Sequence, residues 1–237
     1  TTPGWHCADG SDGPNATATL TDGGALQVSF LSPSMARVTW RPATGFKEPR
    51  TWAVCPDPSS DVPLTGRPRQ SLEGFVRPAV QTDADKGVLQ TSDLAVRLLA
   101  NGSQQGVRLE WFAPDSGRVY QSDRVTSAYL SERRTGLVRH CVVREPSEHY
   151  YGLGDKTGPL NLHGRRLRCM GQDSLGYDPQ SGDPLYKHWP FLITRTAEGL
   201  WTGIYYDTLS ACTFDLGCEH DNYHGFFRTT EIDDGDL

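Results

Sequence analysis

Residues 150–166 read YYGLGDKTGPLNLHGRR, and the meaning of that glycine-rich run decides what kind of chain this is. A phosphate-binding loop needs a glycine directly before its lysine and a serine or threonine opening a helix after it. Asp155 stands before Lys156 instead, setting a carboxylate where backbone N–H groups would have to meet phosphate oxygens. Gly152 and Gly154 lack the third glycine of a dinucleotide loop. Lys156-Thr157-Gly158 spells the KTG of penicillin-recognising hydrolases, which also need a Ser-x-x-Lys nucleophile. None of Lys47, Lys86, Lys156 and Lys187 has a serine three residues before it. The run therefore reads as scaffold, with Gly152, Gly154 and Gly158 giving the backbone freedom that tight turns require and Asp155 and Lys156 pairing locally. Lys156 as an acid–base group is the weaker alternative.

Outward from this run the dominant period is two. Leu26, Val28 and Phe30 alternate with Gln27 and Ser29, and Ala36, Val38 and Trp40 alternate with Arg37 and Thr39. Ser32-Pro33-Ser34 between them marks a hairpin. Leu94, Val96 and Leu98 repeat the pattern; it returns through Val107, Leu109 and Trp111 after an Asn101-Gly102 turn. FLITR and LWTGIYYD, joined at Glu198-Gly199, read as a third hairpin. No convincing helix exceeds two turns. Twenty-five glycines and sixteen prolines punctuate the chain at the rhythm of an antiparallel sandwich. Residues 42–75, rich in proline and charge, read as a long surface excursion.

The chain has 237 residues and a formal net charge of −6. That length suffices for one large β domain or two small ones. The charge balance argues against a nucleic-acid partner, which needs clustered positive charge. No apolar run approaches the roughly 20 residues of a membrane span. The polar start at Thr1 reads as a mature or trimmed N-terminus. Six cysteines include no C-x-x-C pair and fit no zinc spacing. Asn15-Ala-Thr and Asn101-Gly-Ser are glycosylation triplets. Together with the cysteines they point to a secreted protein, where disulfides persist. Cys212 and Cys218, flanking TFDLG, are the best bridge candidates, while Cys141 and Cys169 read as small buried hydrophobes.

From Tyr150 onward the sequence resembles the N-terminal domain of glycoside hydrolase family 31, the α-glucosidase and α-xylosidase family. The resemblance is carried by YYGLGDKTGPLNLHGRRLR, DSLGYDPQSGDPLYKHWPFLITR and GIYYDTLSACTFDLG, in the family's order. It implies an all-β, galactose-mutarotase-like antiparallel sandwich over residues 1–237, without the (β/α)8 barrel that carries the family's catalytic aspartates. It also implies that residues 169–188 form a loop reaching toward that barrel, and that residues 229–237 are the connector to it. Asp233, Asp234 and Asp236 then belong to the connector. Asp173 falls where the family loop carries an aspartate that hydrogen-bonds sugar hydroxyls, work suited to a carboxylate because it accepts two charge-assisted bonds. Met170 and Gly171 stand where family members often have tryptophan and asparagine. Tyr177 and Trp189 offer stacking faces, though core or loop-anchor roles suit them better.

His220 and His224, with Glu219 or Asp221, have the i, i+4 spacing of a metal pair. A solvated loop is the better account, and neither a metal nor a cofactor is expected. The resemblance implies part of a retaining α-glucosidase acting on oligosaccharides, inactive alone because the catalytic pair lies in a barrel supplied by the same polypeptide or a nicked partner chain. Such a domain would show an apolar, aromatic face on one side. The alternatives are a stand-alone carbohydrate-binding sandwich and, more weakly, a mutarotase-like enzyme using His140, His149, His163 or His188.

Overall fold

Alternating apolar and polar residues become antiparallel pairing in the computed structural model. It describes residues 5–7, 13–20, 23–101, 106–132, 134–218 and 226–234. Every regular element among the described residues is a strand or bridge. The chain gathers into two compact units, one built from residues up to Val119 and the other from Tyr120 onward.

In the first unit β1 (Trp5–Cys7), β2 (Ala16–Thr19), β3 (Ala25–Ser32) and β4 (Met35–Arg41) pair in that order. Val28 lies across from Val38, as the Ser-Pro-Ser turn predicts. Leu26, Val28 and Phe30 are buried, and so is Ser29 between them. The polar position is thus covered too, which simple alternation does not anticipate. Residues 42–75 hold little regular structure, as expected. They contain only the two-residue strands β5 (Arg50–Thr51) and β6 (Arg67–Pro68). Side chains fix the rest: Arg50 donates to the Gly66 carbonyl at 2.7 Å and the Trp52 indole to that of Leu64 at 3.0 Å. Next come β7 (Gln81–Asp83), β8 (Val88–Gln90), β9 (Ala95–Asn101) and β10 (Gly106–Phe112), each paired with the next. Leu98 faces Leu109 and Val96 faces Trp111, the predicted second hairpin. Strand β11 (Val119–Ser122) leads into the second unit.

The second unit holds β12 (Tyr129–Ser131), β13 (Val138–Val143), β14 (His149–Gly152) and β15 (Arg166–Cys169). It continues with β16 (Phe191–Arg195), β17 (Trp201–Tyr205), β18 (Cys212–Asp215) and β19 (Phe227–Ile232). One sheet runs β12-β13-β19-β18-β15, and another β14-β16-β17. The third predicted hairpin is β16–β17, with Gly199 at the left-handed φ its turn demands. Tyr150, Leu167, Leu192, Phe214, Leu216 and Ile232 form much of this core, each almost wholly buried. At roughly 25 cal/mol per Å² of apolar surface, each such side chain stabilises the fold by about 1.5–3 kcal/mol.

A polar network is buried beside it. His140 meets the Asp123 carboxylate at 3.0 Å through Nε2 and the Tyr206 hydroxyl at 2.9 Å through Nδ1. Tyr129 stacks on the imidazole, with ring centroids 4.8 Å apart. Buried polar groups persist when their bonds are satisfied, and here the partners come from β13 and three other segments. The network staples those segments together.

Candidate functional site

The glycine-rich run proves to be a cradle. Strand β14 ends at Gly152, whose φ is 99° and where a Cβ would meet the Phe191 carbonyl oxygen at 2.4 Å. Only glycine allows β14 and β16 to close so tightly there. Beyond it, Asp155, Lys156 and Thr157 each reach a residue of the segment 170–188. The Thr157 hydroxyl donates to the Gly182 carbonyl at 2.8 Å. Lys156, its side chain 4 % exposed, donates to Asp183 at 2.9 Å and to the Arg168 carbonyl. Asp183 completes the clamp by accepting the Arg168 backbone N–H at 2.6 Å. Asp155 lies 3.4 Å from Lys187 at the loop's far end. The local Asp155–Lys156 pair expected from sequence is therefore not made; both charges reach across to the loop. A lysine so enclosed and so fully engaged has no freedom to act as an acid–base group.

The loop braces itself as well. Ser174 and Gln172 both donate to the Pro184 carbonyl, at 2.9 and 3.2 Å. Asp178 accepts from the Gln180 N–H at 2.8 Å and the Ser181 hydroxyl at 2.7 Å, closing a turn. Those donors hold its pKa below the ordinary carboxylate value. His188 anchors the exit by donating to the Thr208 carbonyl at 2.9 Å.

Asp173 sits on this braced loop, exposed, with no hydrogen bond or ion pair to another described residue. Its neighbours Leu175 and Tyr177 are exposed, and so are Tyr186 and Trp189. Tyr177 meets Tyr186 edge-on at 6.3 Å. Tyr177 and Trp189 thus present their rings to solvent rather than to the core. The outer face of the β14-β16-β17 sheet is aromatic too. Phe191, Trp201 and Tyr205 are exposed there, Tyr151 stacks on Trp201 at 5.7 Å, and the Arg195 guanidinium lies over the Trp201 ring. Gly203 leaves the space that the Phe191 ring occupies.

Other residues singled out in the sequence have the following surroundings. Asn15 is buried; its amide oxygen accepts from the Phe30 N–H at 2.8 Å and from Arg77 at 2.7 Å. That enclosure gives the amide oxygen a structural task. Asn101 ends β9, and its side chain and the following Gly102-Ser103 lie outside the described residues. Cys212 and Cys218 are both free thiols, the first buried and the second exposed. The residue directly across from Cys212 in the register is Cys169. Glu219, His220, Asp221 and His224 lie outside the described residues, as does Asp236. Asp233 pairs with Arg168, a structural use.

The four histidines do not assemble an acid–base site. His140 is closed inside its network, and His149 bonds Tyr151 at 3.2 Å. His163 donates to the Glu148 carbonyl at 2.9 Å and stacks on Tyr150, while His188 anchors the loop. Sequence reasoning missed Asp183 altogether. Its partner is 27 residues away, and no local pattern announces so distant a pair.

Comparison with known proteins agrees with this architecture. Residues 25–215 match the family model described as the glycosyl hydrolase 31 N-terminal galactose mutarotase-like domain. Alpha-glucosidase 2 of Bacillus thermoamyloliquefaciens is 32% identical over 79 residues, 33% of this chain and 10% of that protein. The dextranase of Flavobacterium johnsoniae, solved with glucose, superposes with a TM-score of 0.72 at 19% identity. That match covers 98% of this chain and 25% of the dextranase. The cycloalternan-forming enzyme of Listeria monocytogenes, solved with a pentasaccharide substrate, gives 0.68 at 16% identity, covering 98% and 19%. The chain thus spans a quarter or less of each of these relatives. A family model covering residues 25–215, with the antiparallel fold seen here, places the chain in the glycosyl hydrolase 31 N-terminal galactose mutarotase-like domain family.

Proposed function

We propose that this chain serves a retaining α-glucosidase acting on α-linked gluco-oligosaccharides, shaping the sugar subsites while a barrel elsewhere in the enzyme supplies the catalytic aspartates. The observation that carries the reading is Asp173: a carboxylate without a partner among the described residues, exposed on a loop that is otherwise braced from both ends. A buried unpaired carboxylate costs several kcal/mol, so one left open on a rigid loop is satisfied by water until sugar hydroxyls replace it. Rigidity matters because ordering a floppy loop on binding would consume much of the interaction energy.

Retaining hydrolysis uses two carboxyl groups about 5–5.5 Å apart, one nucleophile and one acid/base. This chain's part is different. Asp173 accepts hydrogen bonds from vicinal hydroxyls and so fixes the ring's orientation, while the exposed rings of Tyr177 and Trp189 offer apolar faces for a pyranose. The aromatic outer face of β14-β16-β17 is where we place contact with the rest of the enzyme, since the solved relatives are four to five times longer than the part this chain covers.

The test is Asp173→Ala in the complete enzyme, with kcat/KM on maltose and Tm measured together. Two charge-assisted bonds, each worth about 1.5–3 kcal/mol, predict a loss on the order of 100-fold or more. Tm should stay within about 1 °C, since an exposed loop side chain contributes little to stability. Unchanged kinetics removes Asp173 from the site, and a collapsed Tm makes it structural.

A further inference from the structure

We propose that Cys169 and Cys212 form a disulfide across β15 and β18 when the protein folds in an oxidising compartment. The two residues are direct partners in the antiparallel register, Cys169 opposite Cys212, and both are fully buried. Directly opposed residues share one face of a sheet, with Cα atoms about 4.5 or 5.5 Å apart according to their place in the ladder. Both spacings lie inside the roughly 4.4–6.8 Å window that a disulfide spans. Leu167 and Phe214, the pair two positions along, share the same buried face and pack beside it.

Cys169 donates to the Leu153 carbonyl at 3.7 Å and Cys212 to that of Ser210 at 3.3 Å, both weak bonds for sulfur. Within the second unit neither Cys141 nor Cys218 competes from the same position. Cys141 lies on β13, separated from β18 by β19, and Cys218 is exposed beyond the end of β18. Asp215 fixes the backbone there, accepting the Gly217 and Cys218 N–H groups at 3.1 and 2.9 Å.

The chemistry is thiol–disulfide exchange with a low-molecular-weight disulfide, RSSR. The thiolate of one cysteine attacks a sulfur of RSSR, forming a mixed disulfide and releasing RSH after protonation. The second thiolate attacks the protein sulfur of that mixed disulfide, closing the Cys169–Cys212 bond and releasing the second RSH. The cysteine pair is oxidised and RSSR reduced. Burial raises both thiol pKa values, so the folded dithiol reacts slowly and the bond forms while the strands are still assembling. The ring so closed contains residues 170–211, including the Asp173 loop and the β16–β17 hairpin. The bond ties both ends of that excursion to one point of the sheet.

The experiment folds the full-length protein with glutathione disulfide and glutathione, or with dithiothreitol alone. Samples are then unfolded, alkylated and digested for peptide mapping without reduction. The expected result is a peptide pair joined through Cys169 and Cys212 in the first sample only, with its Tm higher by about 5–15 °C, the range expected for closing a ring of this length. In Cys212→Ala, and separately Cys169→Ala, that Tm difference between the two conditions should vanish. Alkylation of both cysteines after folding with glutathione disulfide would overturn the proposal. So would a map joining Cys212 to Cys218. The mapping uses the native sequence, so it decides the matter even where a variant folds poorly.

Discussion

Replacing Lys156 by methionine tests whether the glycine-rich run is a cradle or only a turn. Methionine keeps most of the length and apolar volume of the stem and removes the charge. In the native protein Lys156 makes two charge-assisted bonds, to the Asp183 carboxylate at 2.9 Å and to the Arg168 carbonyl, from a side chain 4 % exposed. At about 1.5–3 kcal/mol for each such bond, the loss is about 3–6 kcal/mol, close to the roughly 3–5 kcal/mol cost of removing one partner from a buried ion pair. Asp183, 15 % exposed, would keep only the Arg168 N–H and would hydrate by opening the loop. Hydrogen exchange of the full-length protein, read at the amides of residues 170–188, should show protection falling by at least 100-fold. Strand β13, three places from β15 in the sheet order, should lose far less. A double variant, Lys156→Met with Asp183→Asn, should be destabilised by less than the sum of the two singles, because each single strands the other's charge. A change under about 1 kcal/mol with unchanged loop exchange would refute the argument, showing that backbone contacts alone hold the loop.

Gly152→Ala should lower Tm by about 5 °C or more. A side chain at a φ of 99° costs about 1–3 kcal/mol, and its Cβ would lie 2.4 Å from the Phe191 carbonyl oxygen; an unchanged Tm would mean that β14 and β16 part easily. Alkaline titration should find buried phenols that resist ionisation. Burial raises the pKa of Tyr129, Tyr150 and Tyr206 above the usual 10.0. Because the unfolded chain loses these protons first, their contribution is complete below pH 10 and is lost as pH climbs beyond it. Phenolate absorbance should therefore count three of the nine tyrosines only when the fold opens; nine ionising together near pH 10 in an intact fold would contradict this.

Local physics was written plainly in the chain. Leu26, Val28 and Phe30 alternate with polar residues and do line a core, and the turns at Ser32-Pro33-Ser34 and Glu198-Gly199 make hairpins where those residue types predict them. Two-residue periodicity and turn chemistry are properties of neighbours, so neighbours suffice to reveal them. The likeness of residues 150–217 to a known domain could be read in the same linear way.

Alternation does not say which side of a strand meets solvent. In β17 the large aromatic residues Trp201 and Tyr205 are exposed while Thr202 and Ile204 are half-buried. Nor does it disclose partners far along the chain. Lys156 finds Asp183, Asn15 finds Arg77, and Cys169 rather than Cys218 faces Cys212. The reason is physical: a buried charge, amide or thiol is satisfied by whatever the closed fold brings within about 3–4 Å, and that distance is set by strand order and register. Sequence determined the strands, the turns and the domain they build; tertiary structure alone decided that the glycine-rich run would hold a loop and leave its Asp173 carboxylate exposed, without a partner among the described residues.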